Sequence, residues 1–267
     1  MTIPMSTHPS ASGARQMLNK VPALTVYFWV IKVLCTTVGE TFADFLNTNL
    51  HLGLTTTTYM MGTLLVITLL FQFLSKAYRP GIYWLAVVLL SVVGTLITDN
   101  LTDNFGVSLV TTTIVFAVLL MATFVIWYAV EKSLSVHSIE TTRREGFYWC
   151  AILFTFALGT AAGDLVAEQL KLGYLVSAGL FGVVIAAVAL LHWRFKLNGI
   201  LSFWIAYILT RPLGASIGDL LSQQRSEGGL GLGTVVTSAI FLVTILALVT
   251  YLVVSRADVA KTAPARA

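Results

Sequence analysis

The chain has 267 residues, of which 57% are hydrophobic and only 10% are charged, and its formal net charge at pH 7 is +4. Soluble domains carry roughly 25% charged residues, so this composition excludes an ordinary soluble protein and predicts a polytopic membrane protein. The long apolar runs lack the two-residue alternation of a membrane β-barrel, so we expect an all-α fold.

In chain order, the apolar runs predict eight membrane-spanning helices. They lie near 22–48, 55–75, 81–104, 107–130, 146–170, 174–193, 199–222 and 232–254. We expect five segments: a tail at 1–19, a first half at 20–130, a charged linker at 131–145, a second half at 146–255 and a tail at 256–267. The first 19 residues have no apolar core and form no cleavable signal.

Basic residues fall almost entirely on one side of these spans. That side carries Arg15, Lys20, Lys76, Arg79, Lys132, Arg143, Arg144, Arg194, Lys196, Arg256, Lys261 and Arg266. The opposite side carries only Lys171 and Arg225. The positive-inside rule explains this asymmetry without a nucleic-acid partner. We therefore expect cytoplasmic termini, tails and linker in a bacterial inner membrane.

A tryptophan, a glycine ten residues later and an aspartate five residues beyond it recur four times. The sets are Trp29/Gly39/Asp44, Trp84/Gly94/Asp99, Trp149/Gly159/Asp164 and Trp204/Gly214/Asp219. This internal repeat predicts four two-helix hairpins that are parallel, because each contains two spans. We expect the four first helices to surround a central axis and the plainer second helices to face lipid.

The repeated tryptophans and glycines have structural interpretations. The tryptophans suit an interfacial aromatic belt on the cytoplasmic side. The glycines Gly39, Gly94, Gly159 and Gly214 suit close packing between membrane helices.

Polar residues recur every four positions along each first helix, which places them on one face. The acids predict a cation-binding site or pathway: Glu40, Asp44, Asp99, Asp103, Asp164, Glu168 and Asp219. Supporting hydroxyls come from Thr36, Ser91, Thr95 and Thr160. The alternative is that the repeated aspartates bond the outer turns and serve architecture alone.

Two bases lie among these acids. Lys32 and Arg211 either pair with Glu40 and Asp219 or act as a gate or built-in counter-charge. Pro212 directly follows Arg211, and because proline removes a backbone hydrogen bond, we expect a helix break there.

These residues resemble a family of bacterial integral membrane proteins built from four tandem two-helix repeats, each with a characteristic tryptophan. The resemblance spans about residues 20–255, and the segments that carry it are 32–44, 159–164 and 210–219. It implies the repeat and the topology, and it supplies no activity, because the family has no known function.

The leading hypothesis is a secondary transporter of a hard cation such as Mn²⁺, Mg²⁺ or Ca²⁺, with proton-coupled export as one form. Carboxylates and hydroxyls are hard oxygen ligands, and the sequence has no phosphate-binding loop for ATP. The alternatives are a passive cation or proton channel and a non-transporting scaffold or sensor. We expect no enzyme activity, no catalytic residues and no cofactor apart from a bound substrate cation, with lipid and the cation as partners.

Overall fold

The computed structural model describes residues 19–258. The predicted cytoplasmic tails, with Arg15, Lys261 and Arg266, fall mostly outside these residues.

The described residues form eight helices that are long and apolar enough to cross a membrane. They are α1 (Val26–Asp44), α2 (Leu54–Leu74), α3 (Pro80–Asp99), α4 (Leu109–Glu131), α5 (Thr142–Asp164), α6 (Tyr174–Phe195), α7 (Gly199–Ser222) and α8 (Thr234–Ser255). Together with the absence of strands from 19–258, this defines a multi-pass, all-helical membrane protein, as predicted.

The connection between the two halves is shorter than the predicted linker. Glu131 ends α4, and α5 already begins at Thr142. Thr141 is the N-cap of α5, and its side chain accepts a hydrogen bond from the backbone N–H of Arg144. The charged residues that suggested a loop therefore form the first turn of a helix.

The first helices of the four repeats form an inner ring. Helix α1 packs against α3, α3 against α5, α5 against α7, and α7 closes the ring on α1. In the apolar cores of these helices 56–78% of residues are buried, against 17–28% for α2, α4, α6 and α8. The outer helices therefore present their apolar side chains to the surroundings, as lipid-facing helices do.

Each outer helix packs mainly against the inner helix of the following repeat. Helix α2 lies on α3, α4 on α5 and α6 on α7, and α8 returns to α1. The four repeats are therefore interlocked in a closed circle, and the two halves of the chain share one bundle.

The repeated glycines lie where neighbouring inner helices approach most closely. A Cβ on Gly94 would stand 2.6 Å from Phe156 Cβ, and one on Gly214 would stand 2.6 Å from Thr36 Cβ. Gly39 meets Ser91 and Gly159 meets Arg211 in the same way. Each glycine thus faces the residue seven positions after the tryptophan in the next repeat, and the absent side chains allow the ring to close.

The tryptophans do not form an interfacial belt, so that prediction is wrong. Trp84, Trp149 and Trp204 are 1%, 4% and 4% exposed, and only Trp29 is half-buried. They pack against neighbouring phenylalanines and tyrosines, for example Trp204 edge-to-face with Tyr207 at 5.8 Å between centroids. Because the tryptophans sit on inner helices, their rings fill the bundle interior. We call this half of the bundle, where the inner helices begin, the closed end.

A buried ion pair ties the N-terminal segment to this closed end. Lys20 Nζ lies 2.6 Å from Glu145 Oε2, and Gln72 donates to the other carboxylate oxygen at 3.0 Å. The sequence pattern does not predict this cluster, because Glu145 lies in the predicted charged linker.

A second contact at the closed end involves the last described residue. The Tyr78 hydroxyl donates to Asp258 Oδ2 at 2.5 Å. Burial raises the pKa of Asp258, and the Tyr78 hydrogen bond opposes that shift.

Candidate cation site

The seven acids singled out in the sequence line one cavity of about 190 Å³ between the inner helices. They are Glu40, Asp44, Asp99, Asp103, Asp164, Glu168 and Asp219, and we call the cavity the acidic funnel. The four-residue spacing places the acids of each helix on one face, and the closed ring turns the four faces toward the same axis. We call the half of the bundle that contains the funnel the open end.

Exposure of the acids falls from the mouth of the funnel to its floor. Asp103 and Glu168 are exposed at the mouth. Asp44, Asp99 and Asp164 are half-buried in the middle layer. At the floor, Glu40 and Asp219 are 7% and 6% exposed. A solute entering from the open end therefore meets carboxylates at three successive depths.

Arg211 closes the floor. It is fully buried, and its guanidinium donates to the Glu40 carboxylate at 2.7 Å and to the Thr36 carbonyl at 2.9 Å. It also donates to the hydroxyls of Thr95 and Thr160, the latter at 2.7 Å. One side chain of α7 thus binds the other three inner helices at once. The sequence offered Glu40 and Asp219 as ion-pair partners for Arg211, and in the structure the partner is Glu40.

The remaining supporting hydroxyls face away from the funnel. The Thr36 hydroxyl donates to the carbonyls of Val33 and Thr210 at 2.6 and 3.1 Å. The Ser91 hydroxyl is buried against Gly39 and has no hydrogen-bond partner within the described residues.

Lys32 pairs with neither Glu40 nor Asp219, so that part of the prediction is wrong. Its ammonium lies 4.1 Å from the centroid of the Phe156 ring and 4.3 Å from that of Tyr207. Among residues 19–258 it has no hydrogen-bond partner. Lys32 lies two turns before Glu40 toward the closed end, where aromatic faces rather than carboxylates surround it.

Pro212 does not break α7, which is helical from Gly199 through Ser222. The predicted break is therefore wrong. The proline ring lies against α5, where a Cβ on Gly159 would stand 3.0 Å from Pro212 Cδ and one on Gly163 would stand 3.5 Å from Pro212 Cα. These two glycines let the proline ring pack closely against α5.

Three inner helices change geometry directly after their repeated aspartate. Each continues as a five-residue π-helical turn, at Phe45–Asn49, Asn100–Asn104 and Leu165–Gln169. Helix α7 has no such turn and is followed by a 3₁₀ turn at Arg225–Glu227. Each of the three π turns ends its membrane span, directly before the connection to the outer helix.

Two funnel residues fall outside the four-residue pattern. Asn47 and Thr102 line the cavity, and each lies three residues after a repeated aspartate. Residues three apart also share a helix face, so a pattern of strict four-residue steps misses them. Gln223, which does follow the pattern, lines the cavity as well.

The repeated aspartates do not serve the outer turns as caps. Asp44, Asp99 and Asp164 each precede a π turn, and none makes a capping hydrogen bond there. The architectural alternative thus lacks the contacts that it requires in these three repeats.

Three carboxylates converge, two from the floor and one from the middle layer. Glu40, Asp164 and Asp219 each offer one oxygen, and these oxygens lie within 4.8 Å of one another. Hard cations contact oxygen ligands at about 2.0–2.6 Å, so three oxygens at this separation can share one ion. Among residues 19–258, neither histidine nor cysteine lines the funnel, and this ligand set disfavours soft metals.

The fold and the site together define a class: a membrane protein with a ring of four repeats around an acidic funnel that opens at one end. The chain belongs to the family described as Repeat of Unknown Function (DUF347), whose model matches residues 27–78, 82–133, 147–198 and 202–258. These four segments correspond to the four two-helix units, which confirms the predicted family resemblance. Comparison with curated proteins and with solved structures finds no match.

Proposed function

We propose that the protein is a secondary transporter of a hard divalent cation and that the acidic funnel is its substrate-binding vestibule. One observation carries the proposal: seven carboxylates from four membrane helices share one cavity, and within the described chain only Glu40 of these seven is paired with a base. Charged groups inside membrane helices are costly and mark substrate or ion pathways.

The charge imbalance favours a cationic substrate. Crowded carboxylates cannot all remain ionised in a confined cavity without positive charge nearby. They are neutralised either by bound protons or by an entering cation, and a cation that takes their place releases protons. Proton exchange is therefore a natural coupling mechanism for this site, and it needs no ATP-binding domain.

The ligand chemistry favours Mn²⁺, Mg²⁺ or Ca²⁺. The funnel offers carboxylate, amide and hydroxyl oxygens, which are the preferred ligands of these ions. Our proposed ligands are Glu40 and Asp219 at the floor and Asp164 of the middle layer, and the acids nearer the mouth attract the ion to them.

Arg211 is our proposed gate. A cation at the floor competes with the guanidinium for Glu40, because both bind the same carboxylate. Once displaced, Arg211 no longer links Thr95 of α3 to Thr160 of α5. Substrate binding thereby loosens the contacts that hold the inner ring together at the floor.

A carrier is favoured over a passive channel by the side chains beyond Arg211. Lys32 and the stacked aromatic side chains occupy the bundle interior at the closed end. Passage therefore requires a rearrangement of the inner helices. A bacterial inner membrane with cytoplasmic termini belongs to the same proposal, because basic residues cluster at the closed end.

The proposal is tested by reconstituting the full chain in liposomes that contain a cation-sensitive dye and adding Mn²⁺, Mg²⁺ or Ca²⁺ outside. We expect flux of at least one of these ions, more than tenfold lower flux for Asp219→Asn at the floor, and a much smaller loss for Asp103→Asn at the exposed mouth. Glu227→Gln, in the 3₁₀ turn outside the funnel, is the matched control. Wild-type flux in Asp219→Asn would contradict the proposed site.

A further inference from the structure

A second cavity, the side groove, opens on the flank of the bundle between α1, α6 and α7. It measures about 490 Å³ and is lined mainly by apolar side chains, with Leu24 and His192 near the closed end and Leu213 deeper in the bundle. It shares no lining residue with the acidic funnel. From Gly199 to Leu213 along α7 the groove runs roughly 20 Å, at 1.5 Å per residue.

Another flank of the bundle shows which side chains could fill this groove. At the equivalent place one repeat earlier, Phe124 contacts Trp204 at 4.8 Å and Trp127 stacks on Phe147 at 6.3 Å between centroids. When the repeats are aligned on their tryptophans, the corresponding positions in and after α6 carry smaller side chains, which are Ala189, His192 and Ser202. These smaller side chains leave the space between α1, α6 and α7 unfilled.

The groove contains polar groups that lack a protein partner. Ser202 is 7% exposed and lines the groove, yet its hydroxyl has no hydrogen-bond partner within residues 19–258. The ring of His192 uses Nδ1 toward the Leu197 carbonyl at 2.8 Å, which leaves Nε2 available. Buried hydroxyls normally have partners, so the arrangement suits a ligand with an apolar body and hydrogen-bonding oxygens near one end.

Positive charge lies at the same end. Arg194 lies in the last turn of α6 and Lys196 is its C-cap residue. No acid occurs from 192 to 202. Basic clusters at helix ends attract anionic lipid headgroups.

We propose that the side groove binds one acyl chain of an anionic phospholipid. Its phosphate faces Arg194 and Lys196, and the Ser202 hydroxyl donates to an ester carbonyl where chain and headgroup meet. The site is independent of the transport proposal, since it uses other residues and another ligand.

The test introduces the aromatic residues of the other flank into the groove. The full-length protein is purified, stripped of lipid and given phosphatidylglycerol or phosphatidylcholine, and bound lipid is counted by native mass spectrometry. We expect retention of phosphatidylglycerol by the wild type and its loss in the Ala189→Phe/His192→Trp/Ser202→Phe variant. The matched control is Val183→Phe, which adds a ring on the outward face of α6, where Val183 is 69% exposed.

A second variant keeps the inference testable if the filled groove impairs folding. Arg194→Ala/Lys196→Ala leaves the groove intact and removes two positive charges, so we expect about tenfold weaker binding of phosphatidylglycerol and unchanged binding of phosphatidylcholine. Equal binding of the two lipids by the wild type would overturn the anionic assignment. Unchanged phosphatidylglycerol binding in the filled variant would overturn the site.

Discussion

Arg211 is the residue on which the interior of the bundle depends most directly. Its guanidinium reaches three other inner helices, and it does so from a fully buried position. A lysine cannot reproduce this set of contacts, because its ammonium is a single point rather than a planar fork. The same contact that stabilises the ring also occupies the carboxylate that a substrate needs.

A double-mutant cycle on Arg211 and Glu40 measures this coupling. Arg211→Met leaves the Glu40 carboxylate without its counter-ion, and we expect a loss of about 3 kcal/mol in stability, at the low end for buried pairs because the funnel reaches Glu40. Glu40→Gln in the same background should recover part of that loss. The measurement is the midpoint of thermal unfolding of purified protein in detergent. Strictly additive effects would show that the two side chains do not interact.

The sequence predicts the acids of the funnel and the Glu40 partner of Arg211, but not the surroundings of Lys32. The spacing of four residues is a local property of one helix, so the residue numbers alone assign Asp44, Asp99 and Asp164 to one face of their helices. The partner of Lys32 depends on which helix lies opposite, and that information is not local. The sequence pattern predicts a carboxylate partner for the Lys32 ammonium, whereas in the structure the ammonium lies over the rings of Phe156 and Tyr207.

At the scale of the helices, close glycine contacts hold the inner ring together. The backbone of the next helix lies directly against them: a Cβ on Gly214 would stand 3.0 Å from the Thr37 nitrogen, and one on Gly94 would stand 3.2 Å from the Ala157 nitrogen. Backbone cannot move aside as a flexible side chain can, so the four helices must separate to admit even a methyl group.

Alanine substitutions test this packing. We expect Gly94→Ala and Gly214→Ala each to cost about 1–3 kcal/mol through overpacking, seen as a lower unfolding midpoint. Gly62→Ala is the control, because Gly62 lies in the outer helix α2 and a Cβ there would have no neighbour within 4 Å. That control should be neutral or slightly stabilising, since alanine favours helix over glycine. Equal destabilisation at all three positions would contradict the packing account.

The helices themselves were the most predictable level of the structure. Apolar run length alone placed α7 at 199–222, which matches the observed helix Gly199–Ser222. The π turns could not be predicted, because no local pattern in Phe45–Asn49 distinguishes them from α-helix. Pro212 also lies within a continuous α7, which the residue type alone does not predict.

At the scale of the whole molecule, the ring has one acidic end and one basic, aromatic end. The asymmetry makes the direction of insertion a functional property, because it decides which compartment the funnel faces. We predict that a fluorescent reporter that matures only in the cytoplasm will be bright when fused after residue 267. A dark fusion with normal expression would place the funnel mouth in the cytoplasm instead.

The crowding of carboxylates also predicts a pH dependence for cation binding. Bound protons and a bound cation neutralise the same oxygens, so they compete. We expect the affinity for the transported cation to rise as pH increases and to fall in acid, as measured by titration calorimetry at several pH values. A pH-independent affinity would contradict exchange with protons as the coupling mechanism.

The most direct test of the central claim is calorimetric titration of the purified, full-length protein with Mn²⁺, Mg²⁺ and Ca²⁺ in two buffers with different ionisation enthalpies. We expect at least one ion to bind with release of protons, and Asp164→Asn/Asp219→Asn to abolish that binding while the protein remains folded. Failure of all three ions to bind, or unchanged binding in the double variant, would show that the acidic funnel is not a cation site.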